Sequence, residues 1–250
     1  MDLSLKQQFA ERWGRYFPRA ELPIAFSYAD DVGGAGPAPI PPRERCFVCA
    51  LGEVRAGASQ AYVKEAVGCA GGRRYLGFST HLRPNFEYFL SYGIPGEMEG
   101  ERYKKSPERV RDLMREHPPF EAPGRSIVFK RWDKLGPQDE PLVVVFFAAP
   151  DVLSGLFTLA NYDEATSHGV VAPMGSGCSS IVYYPYLEGR SAQPRAVLGM
   201  FDVSARPCVP ADVLTFAVPW TKFVRMVENM EESFLITASW GKVRSRIAGG

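Results

Sequence analysis

Hydrophobic residues recur at two different spacings along the chain. Between Leu5 and Phe17 they recur at every fourth position, which predicts an amphipathic helix over residues 3–17. The apolar run LVVVFFAAP at residues 142–150 is short and continuous, which is typical of a strand buried on both faces of a sheet. Both patterns return further along, so we expect helices and strands to be interspersed.

Turn and cap residues delimit the other predicted elements. Ser106 is a helix N-cap followed by Pro107, and Asp151 is predicted to cap another helix. Residues 31–45, rich in proline and glycine, and the polar residues 94–105 are predicted loops. The other predicted strands are 22–28, 60–69, 126–132, 168–173, 195–202 and 213–219, and the other predicted helices are 45–57, 84–93, 106–117, 151–162, 181–186 and 220–234.

These elements define the fold class as α/β or α+β, with helices flanking one mixed sheet. The chain is long enough to bury a substantial core. No linker divides it, so residues 1–250 are predicted to form a single domain.

Composition and charge argue against some classes of function. The formal net charge is +1, whereas nucleic-acid-binding proteins usually carry a basic surplus or stripe, so no nucleic-acid partner is expected. The apolar runs are shorter than the roughly 20 residues that span a bilayer, and the charged N-terminal segment has no signal-peptide pattern. We therefore expect a cytoplasmic protein without a membrane partner.

The five cysteines carry the candidate chemistry. Structural disulfides are rare in cytoplasmic proteins, and an odd number fits a disulfide framework poorly, so thiols or metal ligands are expected. Two of the cysteines form a Cys-x-x-Cys pair, a spacing shared by zinc, iron–sulfur and dithiol sites, and two others lie in glycine-rich turns. The leading hypothesis is a metal site, an iron–sulfur cluster with a redox role. Its candidate ligands are Cys46, Cys49, Cys69, Cys178 and Cys208.

An alternative function needs no metal. If a helix begins near Ser179, the Cys178 sulfur lies at the positive end of the helix dipole, where thiol pKa values fall and anions bind. Gly177 and Ser179 would contribute backbone N–H groups, and Arg73 and Arg74 would supply positive charge. This arrangement predicts a binding protein or enzyme for a small anionic ligand. In a third interpretation the cysteines only fill space in a scaffold or regulatory subunit.

Three stretches resemble one known family. CAGGRRYLGF at 69–78, VVVFFAAPDVL at 143–153 and APMGSGCSSIVYYP at 172–185 look like domain-of-unknown-function family 169, over residues 20–230. The resemblance implies a cytoplasmic protein of anaerobic bacteria and archaea, a setting that suits exposed thiolates and oxygen-sensitive clusters, but it transfers no reaction. The expected partners are a redox partner or a small anionic ligand, and a second copy of the chain, because homodimers are common.

Overall fold

The computed structural model describes residues 1–32 and 46–249, in which helices and strands are interspersed. The helices are α1 (Leu3–Tyr16), α2 (Phe47–Arg55), α3 (Ala70–Tyr75), α4 (Phe86–Phe89), α5 (Pro107–Glu116), α6 (Pro150–Ala160), α7 (Tyr184–Glu188), α8 (Trp220–Asn229) and α9 (Ala238–Gly249). The strands are β1 (Ile24–Ala29), β2 (Gln60–Val63), β3 (Gly93–Ile94), β4 (Met98–Glu99), β5 (Ser126–Arg131), β6 (Val143–Ala148), β7 (Val170–Val171), β8 (Ala196–Gly199) and β9 (Leu214–Pro219). No described helix is both long and apolar enough to cross a membrane.

Seven strands form one mixed sheet in the order β2-β5-β1-β6-β9-β8-β7. Neighbouring strands are antiparallel except β7 and β8, which are parallel. β3 and β4 form a separate hairpin. Because most strand pairs are antiparallel and helices cover the sheet, the fold is α+β, one of the two predicted classes.

The position of β6 at the centre of the sheet explains its continuous apolar sequence. Val143, Val145 and Phe147 belong to the core on one face of the sheet, whereas Val144 and Phe146 belong to the core on the other. Successive side chains of a strand point to opposite faces, so a strand covered on both sides has no position for a polar residue. Burying one large apolar side chain of this kind contributes about 2 kcal/mol.

Four helices cover the face of the sheet that carries Phe146. α1 buries Phe9 and Trp13 there, which confirms the helix predicted from the four-residue spacing. α6, α8 and α9 complete this layer. The sequence did not predict α9, because Trp240 alone among its described residues is buried and its apolar periodicity is weak.

The opposite face of the sheet is covered by α2, α3 and the helical segment that leads into α7. This layer contains the cysteines: Cys178 belongs to its core, and Cys46 and Cys208 pack against it. Residues Ser179–Tyr183 form a π-helical turn that continues into α7. Turns of this type occur frequently at functional sites.

Two predictions near the first glycine-rich stretch differ from the structure. The predicted strand 60–69 is short, because β2 ends at Val63 and is followed by a 3₁₀ turn. The stretch after Cys69 is the helix α3 and not a turn. Cys69 caps this helix, and its sulfur accepts a hydrogen bond from the Gly72 N–H at 3.4 Å.

Other differences lie in the loops and caps. The predicted polar loop 94–105 contains β4 and part of the β3–β4 hairpin. Asp151 lies in the first turn of α6, whose N-cap residue is Ala149. Nearly all of the predicted loop 31–45 lies outside the described residues.

Candidate cysteine centre

Segments that are distant in the sequence meet on the face of the sheet covered by α2 and α3. These segments pack most closely around Gly177, where there is no room for a side chain. A Cβ atom on Gly177 would lie 3.0 Å from Val48 Cγ2 and from Met200 Sδ, and 3.1 Å from Ala205 Cβ. The turn before Cys178 therefore contacts both the Cys-x-x-Cys segment and the segment that leads to the last cysteine.

The first turn of α3 packs against the same group of segments. A Cβ atom on Gly72 would lie 3.6 Å from Cys69 Cβ and 3.7 Å from Phe47 Cβ. Phe47 is the first residue of α2, so the N-terminal ends of α2 and α3 lie side by side. All five cysteines therefore belong to one region of the fold.

Cys49 and Cys208 form a disulfide whose Cα atoms are 4.5 Å apart. The bond joins the first turn of α2 to the 3₁₀ turn Arg206–Cys208 across a sequence separation of 159 residues. The structure thus differs from the expected thiols or metal ligands at these two positions, because a sulfur in a disulfide is not a thiolate. Spacing along the chain could not identify the pair, since it does not tell which distant segments meet.

Cys46, Cys69 and Cys178 are not in disulfides. They lie within electrostatic range of one another: after the larger effect of burial, charge on Cys69 raises the pKa of both Cys46 and Cys178. The charge of Asp202 also raises the pKa of both the Cys46 and the Cys178 thiol.

The three thiols do not form a metal site in this structure. Across residues 1–32 and 46–249, no group of three or more His, Cys, Asp or Glu side chains is arranged to hold a metal ion. The structure therefore gives no support to the iron–sulfur cluster expected from the sequence.

Cys178 is buried, and burial raises the pKa of its thiol to about 12. The Ser176 hydroxyl lies 3.3 Å from the sulfur and opposes this rise, but desolvation is the larger effect. A lowered pKa was expected from the sequence, because an α-helix dipole was predicted at this position. The structure places a π-helical turn there and buries Cys178 in the core cluster, so the thiol stays protonated at neutral pH.

The predicted anion cradle is occupied by groups of the protein itself. The Gly177 N–H donates to Asp202 Oδ2 at 2.9 Å, so an internal carboxylate takes the place expected for an anionic ligand. The Ser179 N–H donates to Ser176 Oγ at 3.3 Å, and the Ser179 hydroxyl donates to the Ser176 carbonyl at 2.7 Å. These contacts hold the turn closed and tie it to the segment that leads to Cys208.

The two arginines of the anion hypothesis have different surroundings. Arg74 is buried, and its guanidinium donates to the carbonyls of Thr80 at 2.8 Å and of His117 at 3.3 Å. Arg73 is half-buried. Within the described part of the chain, no hydrogen bond joins either side chain to Gly177. Arg74 therefore braces two loops through its guanidinium.

The surroundings of Cys46 have opposing effects on its thiol. Cys46 is the N-cap residue of α2 and is partly buried, and burial raises the pKa of its thiol. The backbone N–H groups of Val48 and Cys49 lower that pKa, although neither makes a hydrogen bond of normal geometry to the sulfur. Burial has the larger effect, so the pKa of the Cys46 thiol is raised overall, although the helix N-terminus favours the thiolate.

Sequence reasoning missed two residues that belong to the centre. Asp202 follows β8 and bonds to the Gly177 turn, but a single acidic residue after a strand gives no signal of such a role. The ring of Tyr75 packs edge-to-face on Tyr183 at 5.6 Å between centroids. Its pKa is raised by burial and, to a smaller extent, by Cys178.

The fold and the site together define an α+β protein with a cysteine-rich centre on one face of a mixed sheet. A family model matches residues 20–229, which is most of the chain. The family is DUF169, described as uncharacterised ArCR, and the chain belongs to it, as the resemblance predicted. No curated protein and no solved structure matches the sequence.

Proposed function

We propose that the protein carries out reversible thiol–disulfide exchange at its cysteine centre. The observation that supports this function is a disulfide, Cys49–Cys208, in the same region as three unpaired thiols. Attack by a thiolate on a disulfide sulfur is the route by which such bonds form and break. A disulfide that only fastened the fold would gain nothing from neighbouring thiols that can scramble it.

The proposed reaction transfers two electrons and two protons. A dithiol substrate attacks the disulfide, forms a mixed disulfide through one sulfur, and leaves as an intramolecular disulfide. Cys49 and Cys208 remain as thiols. The reverse reaction oxidises a dithiol and regenerates the starting state, so the partner class is a redox-active dithiol.

Position within the fold supports this chemistry. Cys208 is only partly buried, and it lies on a 3₁₀ turn outside the main elements, so a substrate sulfur has a route to the bond. Cys178 is poorly suited to attack a disulfide, because a buried thiol that stays protonated is a poor nucleophile.

A redox titration tests the proposal. The protein is equilibrated in thiol–disulfide buffers of known potential, trapped with acid, alkylated and analysed by mass. We expect a two-electron transition of the Cys49–Cys208 pair between about −120 and −270 mV, the range of dithiol oxidoreductases. A midpoint below about −300 mV would identify a structural disulfide and contradict the function. The Cys49→Ser, Cys208→Ser double variant is the control and should show no transition.

One observation keeps metal binding as a second candidate. Reduction would add Cys49 and Cys208 to the three thiols already present in the region, giving five sulfur donors. The test is anaerobic purification with a reductant, followed by analysis of iron, zinc and acid-labile sulfide. Iron with sulfide and absorbance near ~400 nm would support a cluster in the reduced protein. A metal-free reduced protein would leave thiol–disulfide exchange as the function.

A further inference from the structure

The Cys-x-x-Cys pair places an unpaired thiol beside one end of the disulfide. Cys46 caps α2, and Cys49 lies in the first turn of the same helix. The side chain of an N-cap residue faces the third helical residue, here Cys49, whose backbone N–H acts on the Cys46 thiol, so the Cys46 sulfur lies beside Cys49. This proximity is set by the helix itself and does not depend on the position of the segment that carries Cys208.

The other two thiols are less well placed to attack the bond. Cys178 is buried in the core next to the Gly177 turn. Cys69 caps a different helix, and its sulfur accepts a hydrogen bond from the Gly72 N–H. Cys46 alone shares a helix turn with a disulfide sulfur.

We infer that Cys46 is the internal nucleophile that displaces Cys208 from Cys49 and so moves the disulfide to the Cys46–Cys49 pair. In this step the Cys46 thiol loses its proton and its sulfur bonds to the Cys49 sulfur. The Cys49–Cys208 bond breaks, and Cys208 leaves as a thiolate that takes up a proton. One disulfide is exchanged for another, so no external oxidant or reductant is required.

The exchange changes how the segment before Cys208 is held. The disulfide ties this segment to α2, and a second tie runs from Asp202 to the Gly177 N–H. Arg206 joins this segment to the residues that follow Cys208, through the carbonyls of Val213 and Ala211. Transfer of the bond to Cys46 therefore releases the covalent tie and presents Cys208 as a thiol. The segment contains two exposed apolar side chains, those of Phe201 and Val203.

This inference rests on the proposed thiol–disulfide function, but its test needs no reductant. The oxidised protein is incubated anaerobically near pH 8.5 with a maleimide, and labelling of Cys208 is followed by peptide mass spectrometry. In the wild-type protein, exchange should make Cys208 reactive. In Cys46→Ser the rate of Cys208 labelling should fall at least tenfold, because the attacking thiol is lost. Cys69→Ser is the matched control: it removes a neighbouring thiol but not the attacking one, so the rate of Cys208 labelling should change far less than in Cys46→Ser.

A second variant identifies the new bond directly. Cys208→Ser, oxidised with glutathione disulfide and digested, should contain Cys46–Cys49 as its main intramolecular disulfide. Equal Cys208 labelling in wild type and Cys46→Ser would overturn the inference, and so would pairing of Cys49 with Cys69 or Cys178 in Cys208→Ser. Failure of the proposed function is distinguishable, because it appears as resistance of the wild-type disulfide to reduction in the potential titration, whatever the labelling result.

Discussion

Gly155 lies where α6 packs against Trp240 of α9 and Phe17. A Cβ atom there would overlap the Trp240 ring and lie 2.7 Å from a carbon of the Phe17 ring. We expect Gly155→Ala to lower the free energy of unfolding by about 1–3 kcal/mol, because both rings must move in a well-packed core. Urea denaturation followed by tryptophan fluorescence measures the change.

Gly52 is the matched control for this prediction. It also lies inside a helix, but it is exposed, and a Cβ atom there would meet nothing within 4 Å. Gly52→Ala should therefore raise the free energy of unfolding by about 0.5–1 kcal/mol, the normal helix preference for alanine. If both variants shift stability in the same direction, the packing described at α6 is incorrect.

Cys178 should resist alkylation in the folded protein. With a pKa of about 12, only about one thiol in ten thousand is ionised at pH 8. We expect iodoacetamide at pH 8 to modify Cys178 only after unfolding, as followed by peptide mass spectrometry. Rapid labelling of the native protein at Cys178 would show that the sulfur is neither buried nor protonated.

At the scale of single elements, α8 is held by an ion pair that is largely buried. Lys222 is 1% exposed, and its ammonium lies 2.6 Å from Glu164 Oε1, which Arg225 also contacts at 3.0 Å. We expect Glu164→Ala to destabilise the protein by about 3 kcal/mol, because the Lys222 charge would remain buried without a carboxylate. Chemical denaturation measures the loss.

The double variant Glu164→Ala, Lys222→Met tests whether the uncompensated charge of Lys222 causes this loss of stability. Removing both charges should recover much of the lost stability, since the uncompensated ammonium is no longer present. Asp112→Ala, which removes exposed ion pairs on α5, should cost less than about 1 kcal/mol. Additive losses in the double variant would contradict the role given to the buried charge.

Elements with a strong local pattern could be predicted from the sequence. α1 follows from its apolar spacing, α5 from Ser106 and Pro107, and β6 from a continuous apolar run. α3 could not, because it contains two adjacent glycines that usually interrupt helices and are accommodated here by a cysteine cap and close packing on Val67. Local propensity does not report such tertiary contacts.

For the whole molecule, the buried hydroxyl and thiol groups predict sensitivity to alkaline pH. Burial raises the pKa of Tyr28, Tyr75 and Tyr184, the last to about 12, and that of Cys178 likewise to about 12. In the unfolded chain these groups lose their protons near pH 9–10. Their contribution to stability is therefore complete below about pH 9 and is lost as the pH rises toward 12.

We expect the free energy of unfolding to fall in this range, with each group contributing a slope of up to about 1.4 kcal/mol per pH unit. Equilibrium unfolding at a series of pH values measures it. Tyr184→Phe should make the decline shallower, because it removes one of the groups whose pKa is raised by burial. A flat profile between pH 9 and 12 would contradict the burial of these groups.

The cysteine centre depends on the whole topology, and for that reason the sequence offered the cysteines as candidates but did not indicate which of them pair. Cys46 and Cys49 are adjacent by spacing alone. The bond between Cys49 and Cys208 requires α2 and the segment after β8 to lie on the same face of the sheet, and strand order decides this. Asp202 acquires its role in the same way.

The separation of Cys49 and Cys208 has a consequence for the order of events during synthesis. At about 5–20 residues per second, Cys208 is added about 8–30 s after Cys49. During most of that interval the nascent chain contains only Cys46 and Cys69 as partners for Cys49. An early oxidation would therefore form the Cys46–Cys49 bond first. The finished protein would then reach its long-range disulfide by running the same sulfur exchange in the opposite direction.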